Sequence, residues 1–207
     1  MSQVTHGIRS ILSHPAIYDL TQNILGAGRS RKKLVKDYIR AEPRDQLLDI
    51  GCGTAELLPY LPEDIDYVGF DLSPRYIEAA RKRYGARARF ECMDIADFDD
   101  DMVKDGADIV LAIGILHHLD DELAHALIDT AWSKLRPGGR LITLDGTLTD
   151  SQSGLARSLI LRDRGQNIRS PEGYRALAGT DFSSVHLTVR EDMLFVPYTH
   201  CIMECTR

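Results

Sequence analysis

Three acids in this chain stand at the ends of apolar runs, where a protein that binds a nucleoside would need them. Asp49 lies in Leu47-Leu48-Asp49-Ile50, which runs directly into Gly51-Cys52-Gly53-Thr54-Ala55. Glycines flanking a small residue let the backbone approach a flat or anionic ligand at the carboxyl edge of a sheet. Asp71 closes Tyr67-Val68-Gly69-Phe70, 18 residues beyond Gly53, and a carboxylate about 20 residues past such a turn accepts protons from ribose hydroxyls. Asp94, with Ile95, follows a third apolar run, Ala88 to Cys92, where a carboxylate beside an apolar side chain meets an adenine edge. A lone acid at a strand end is commonly a solvated loop residue, but three in order form a pattern. A second set could move protons: His117 and His118 offer imidazoles that deprotonate a hydroxyl near neutral pH. Asp145, with Tyr18, Tyr198 and His200, is a further candidate. No Cys, Glu or third His stands at ligand spacing from the histidine pair, so no metal is expected.

These residues need rigid positioning, and the hydropathy pattern supplies it. Strand and helix patterns alternate from Leu47 to Asp145, the signature of a parallel sheet with right-handed crossovers. Before them, helices are predicted over about Pro15 to Leu25 and about Arg31 to Arg40, the latter capped by Ser30. Ser73-Pro74 starts a helix in which Leu72 can staple to Ile77, and Gly85 ends it. Asp120 caps the next helix. After Asp145 come a polar loop, an amphipathic helix over about Gly154 to Arg164, and another helix opened by Ser170-Pro171-Glu172. The runs Val185 to Val189 and Thr199 to Cys205 are joined too briefly for a parallel crossover and must pair antiparallel.

These motifs are similar to those of the class I S-adenosylmethionine-dependent methyltransferases acting on small molecules, from about Leu47 to Asp145. Leu-Asp-Ile-Gly-Cys-Gly-Thr resembles the first motif of that family, Gly-Phe-Asp-Leu-Ser-Pro the second and Asp94-Ile95 the adenine-contacting one. Ile109 to Ala112 with Ile115-Leu116-His117-His118-Leu119 resembles the fourth strand and its loop, and Leu135-Arg136-Pro137-Gly138-Gly139-Arg140-Leu141 the turn into the fifth. Ala55 departs from the third glycine of many members, a small change because alanine keeps the close approach.

The resemblance implies a Rossmann-like doubly wound α/β sheet of about seven strands, the last antiparallel, with helices on both faces and an N-terminal helical cap. One domain is expected: cap 1–45, cofactor core 46–145, lid-like insertion 146–182 and closing strands 183–207. S-adenosylmethionine would be the cofactor and S-adenosylhomocysteine the product. Asp49 with Gly51, Cys52 and Gly53 would hold the methionine end, Asp71 the ribose, Leu72 a ring face, Asp94 and Ile95 the adenine, and Ala112, Ile113 and Gly114 would border the sulfonium. His117, His118 and Asp145 are the catalytic candidates. Proximity and exclusion of water would provide most of the rate.

The chain has 207 residues, 43% hydrophobic and 27% charged, with net charge −6, which fits one globular domain and disfavours a nucleic-acid substrate. No apolar run reaches membrane-spanning length and the start lacks a secretory pattern, so a cytoplasmic location is expected. Cys52, Cys92, Cys201 and Cys205 read as reduced packing residues, Cys52 being open to alkylation by its position. The expected partner is a small methyl acceptor, an oxygen or amine compound, and the clusters Arg29-Arg31-Lys32-Lys33 and Arg157-Arg162-Arg164 suggest that it carries a carboxylate or phosphate. Two other readings compete: a catalytically silent domain that binds S-adenosylmethionine, and a nicotinamide-dependent oxidoreductase. The second lacks a Gly-x-Gly-x-x-Gly turn and a Tyr-x-x-x-Lys pair.

Overall fold

The computed structural model describes residues 27–94, 97, 103, 105–162 and 166–207. The helix expected over Pro15 to Leu25, and Tyr18, Ile95 and Arg164, lie outside them. Seven strands form one sheet: β1 (Gln46–Ile50), β2 (Asp66–Phe70), β3 (Arg89–Glu91), β4 (Ala107–Ile113), β5 (Leu135–Gly146), β6 (Ser184–Arg190) and β7 (His200–Thr206). Their order is β3-β2-β1-β4-β5-β7-β6. β1 to β5 pair parallel, whereas β7 runs antiparallel to both β5 and β6. The strand order reverses between β1 and β4, which opens a crevice at their carboxyl ends.

The helices are α1 (Ala27–Leu34, continued by a π-helical turn Val35–Ile39), α2 (Pro74–Tyr84), α3 (Asp121–Lys134), α4 (Gly154–Leu161) and α5 (Pro171–Leu177). Alternation along the buried strands divides the apolar residues between two faces. Leu48, Ile50, Val68, Phe70 and Val110 join residues of α3 and α5 on one. Leu47, Tyr67, Ile109 and Leu111 join residues of α1 and α2 on the other.

Several local expectations need correction. Ser30 lies inside α1 rather than capping it. Between β1 and β2 the expected helix is a single 3-10 turn, Leu58–Tyr60, because Pro59 and Pro62 remove two N–H donors within four residues. Pro137-Gly138-Gly139 forms a bulge inside β5 rather than a turn before it: Leu135 pairs with Ala107, and the register resumes at Ile109 and Arg140. Gly138 takes φ 79° there. Leu72 does not staple to Ile77, since it is 55% exposed while Ile77 is buried. The caps at Asp120 and Ser170 accept bonds from Leu123 and Gly173 N–H as their sequences require.

Candidate active site

The loops after β1 and β4 meet at the crevice. Gly51 adopts φ +66°, and a Cβ placed on it would stand 2.5 Å from Ile115 Cδ1, so glycine is needed both for conformation and for the contact between the loops. Cys52 N–H donates to the Phe70 carbonyl at 3.0 Å, tying the turn to the end of β2. Asp71 continues that tie: its Oδ2 accepts from Gly53 N–H at 3.1 Å and its Oδ1 from Ser73 N–H at 2.8 Å. Burial pushes the Asp71 carboxyl up while these two donors pull it down. Leu72, next to it, stands out in solvent, and Asp94 is half-buried beyond β3.

Asp49 is inside the sheet, 3% exposed. The Tyr67 hydroxyl, reaching across from β2, donates to its Oδ2 at 2.5 Å. Burial raises the Asp49 carboxyl to about 7, opposed by the Tyr67 bond and assisted by the charge of Asp71. Gly69 makes room for this arrangement, because a Cβ there would lie 2.9 Å from both Cys52 Sγ and Tyr67 Cε1. Tyr67 is absent from the sequence-predicted set. A polar ring two residues before a glycine in an otherwise apolar strand is the signal that could have found it.

At the end of β4, Ala112 is buried and Ile113 half-buried, and Gly114 takes φ +72° with its N–H bonded to the Leu144 carbonyl at 2.8 Å. A 3-10 turn, Leu116–His118, follows. It gives the two histidines different exposure, His117 being 7% exposed and His118 exposed, while their ring centroids lie 4.1 Å apart. His117 Nδ1 lies 2.7 Å from Asp145 Oδ1, and the His117 backbone N–H donates to the same oxygen at 3.2 Å. The acid at the tip of β5 therefore fixes both the ring and the main chain of His117. His117 Cε1 is 3.9 Å from a Cβ placed on Gly114, which sets the ring beside the β4 tip. Tyr174 of α5 donates to the Gly146 carbonyl at 2.8 Å, and Tyr198 and His200 stack with centroids 4.8 Å apart behind the same strand end.

The basic residues of α1 make contacts within the protein. Arg31 pairs with Glu56, Lys33 with Asp192, and Arg29 lies over the Phe195 ring. Among the described residues no group of three or more His, Cys, Asp or Glu is arranged to hold a metal ion.

A reversed parallel sheet with a glycine turn, an acid after β2 and an antiparallel β7 defines a Rossmann-like nucleotide-cofactor protein. Residues 48–141 match the family model described as a methyltransferase domain. The 27-O-demethylrifamycin SV methyltransferase of Amycolatopsis mediterranei is 36% identical over 119 residues, covering 54% of this chain and 42% of that protein. The phosphoethanolamine N-methyltransferase of Triticum aestivum is 23% identical over 195 residues, covering 93% of this chain and 38% of that one. The chain thus spans less than half the length of either relative. The N-methyltransferase NodS from Bradyrhizobium japonicum, solved with S-adenosylhomocysteine, superposes with TM-score 0.70 at 16% identity over 96% of this chain and 97% of that one. Residues 48–141, a little under half of the chain, thus match a methyltransferase domain, and the fold is the one seen in class I S-adenosylmethionine-dependent methyltransferases, whose methyl donor is S-adenosylmethionine.

The site suits that donor. Among the described residues, nothing lies within 4 Å of a Cβ built on Gly53, only His117 Cε1 approaches one on Gly114, and the apolar Leu72 beside Asp71 is exposed. These form a cradle with an acid and an apolar wall.

Proposed function

We propose that this chain transfers a methyl group from S-adenosylmethionine to a hydroxyl oxygen of a small molecule, with His117 as the base. The carrying observation is the 2.7 Å contact between His117 Nδ1 and Asp145 Oδ1. A carboxylate on Nδ1 keeps the proton there and leaves Nε2 as the basic nitrogen. Asp145 then stabilises the imidazolium that forms when Nε2 accepts the hydroxyl proton.

In this reading Asp49 and the backbone of Gly51, Cys52 and Gly53 take the methionine end of the donor and Asp71 the ribose. Leu72 covers a ring face, Asp94 and Ile95 meet the adenine, and Ala112 to Gly114 line the transfer path. When bound, the donor supplies a methyl on a sulfonium, whose departure as a neutral thioether needs no acid. The protein's share is alignment, a dry environment and removal of one proton.

An aliphatic amine acceptor is the second reading, supported by the alignment with a phosphoethanolamine N-methyltransferase over 93% of this chain. A metabolite screen following S-adenosylhomocysteine release tests both. Expected is a hydroxylated acceptor whose turnover falls by about 10²–10⁴ in His117→Ala, the usual share of a general base, while His118→Ala stays near wild type. An acceptor methylated at full rate by His117→Ala would overturn the base. Binding of S-adenosylhomocysteine without turnover of any acceptor would favour the silent cofactor-binding domain.

A further inference from the structure

Resting on the His117–Asp145 reading, we propose that Arg169 is the positioning residue that holds both halves of this pair. Its guanidinium donates through Nη1 to the Leu116 carbonyl at 2.8 Å and the Asn167 carbonyl at 3.1 Å, and through Nη2 to the Leu119 carbonyl at 2.9 Å. Leu116 and Leu119 bracket the histidines. Nε and Nη2 also donate to Asp121 Oδ1, at 3.1 and 2.7 Å. The main chain of the same residue grips the other half: the Arg169 carbonyl accepts from the Thr147 hydroxyl at 2.9 Å and from Leu148 N–H at 3.4 Å, just beyond Asp145. Next door, Asn167 N–H donates to the His117 carbonyl at 3.0 Å.

The chemistry explains why an arginine stands here. The Leu116 carbonyl accepts one bond within the 3-10 turn, from Leu119 N–H at 3.2 Å, and keeps a second lone pair, while the Leu119 carbonyl lies past the end of the turn; a cation beside such turn-end carbonyls is favoured. The planar fork reaches three carbonyls and a carboxylate at fixed angles, which the point charge of a lysine cannot reproduce. The Arg169 side chain is 11% exposed and Asp121 82%, so the carbonyl bonds, not the solvent-facing ion pair, carry the positioning. Nothing in the guanidinium's contacts makes it a proton carrier. It acts through His117, by keeping the imidazole within bonding distance of Asp145 while the strand end and the turn stay in register.

The test pairs two substitutions with readouts that a merely structural residue would not separate. In Arg169→Lys and Arg169→Leu, the S-adenosylhomocysteine dissociation constant from calorimetry should stay within about twofold of wild type, which also reports folding. Turnover of the acceptor found by the screen should fall roughly 10–100-fold, the cost of a misplaced catalytic group, with its KM little changed. Nitrogen-15 spectra should show the His117 ring losing its single Nδ1-protonated form in both variants. Wild-type turnover with an unaltered His117 ring spectrum would overturn the proposal. So would a loss of cofactor affinity in proportion to turnover, which means general destabilisation. If His117→Ala itself turns over at the wild-type rate, the base reading falls and this inference with it. If His117→Ala loses turnover while both Arg169 variants keep the wild-type rate, this inference alone falls.

Discussion

At the residue scale, burial pushes up the carboxyls of both the buried Asp49 and the half-buried Asp71. Asp49 carries its proton more readily folded than unfolded, near 7 against an ordinary 3.8. Below about pH 4 both states are protonated and nothing is lost. As pH rises toward 7 the unfolded chain ionises while the folded one keeps its proton, so stability declines through that window and stays reduced above it. A gap of about 3 pKa units corresponds to roughly 4 kcal/mol at most. Asp49→Asn should therefore unfold several degrees higher than wild type at pH 8, with the advantage gone at pH 4, measured by thermal scans. A gain of the same size at both pH values would reject the assignment. The same variant should bind S-adenosylhomocysteine more weakly, if the carboxylate meets the methionine ammonium. Asp71 makes a second prediction. If Asp71 holds the ribose as proposed, Asp71→Ala removes bonds worth about 1.5–3 kcal/mol each, and the dissociation constant should rise at least tenfold by calorimetry. Asp71→Asn, which keeps one carbonyl oxygen for the Gly53 or Ser73 N–H, should lose less. Burial and the charges of Asp49 and Asp71 push the half-buried Cys52 thiol well above the ordinary range, which disfavours the thiolate that alkylation needs.

At the element scale, the stretch expected to act as a lid divides in two. α5 is a layer of the core, with Tyr174 and Leu177 buried against the sheet. α4 buries Ala156 and Ile160 but leaves Leu155 and Leu161 more than 60% exposed. Its apolar outer side and few anchors mark it as the segment that responds to ligand. Hydrogen exchange with S-adenosylhomocysteine and acceptor should slow in residues 150–162 and stay unchanged in α5. Slowing of both to the same degree would restore the larger lid. What the sequence made legible follows the same division between local and remote. The glycine turn, Asp71, the Asp120 and Ser170 caps and the antiparallel closing pair depend on neighbours within a few residues, and periodicity and capping chemistry express them directly. The bulge at Pro137 and the 3-10 turn at Leu58 depart from the local pattern because strand pairing and two prolines override it, and Ser30 is no cap because the helix already includes Ala27. Arg169 was invisible, since its partners lie about 50 residues away, and no spacing rule ties an arginine in a loop to carbonyls so far upstream.

At the scale of the whole molecule, the described N-terminal helix and the C-terminal hairpin are tied together across the carboxyl edge of the sheet. α1 reaches the loop after β1 through Arg31 and Glu56 and the connection between β6 and β7 through Lys33 and Asp192. Asp192 also takes both Nε and Nη2 of Arg190, at 2.7 and 2.9 Å, and Arg190 donates to the Tyr38 hydroxyl at 2.7 Å. This network is largely exposed at Asp192, so it adds little to global stability. Its effect is geometric: because β7 enters the sheet with His200 opposite Gly146, the β6–β7 connection sits beside the His117–Asp145 pair. Releasing it should loosen the acceptor side of the crevice without touching the cofactor side. Asp192→Ala is expected to raise the acceptor KM severalfold at unchanged S-adenosylhomocysteine affinity, with a melting temperature within about 2 °C of wild type. The KM effect should shrink at high salt, as the wild-type contacts are themselves screened. A cofactor affinity that falls as the acceptor KM rises would mean that α1 braces the glycine turn instead, through Arg31 and Glu56, and Glu56→Gln would then reproduce the loss.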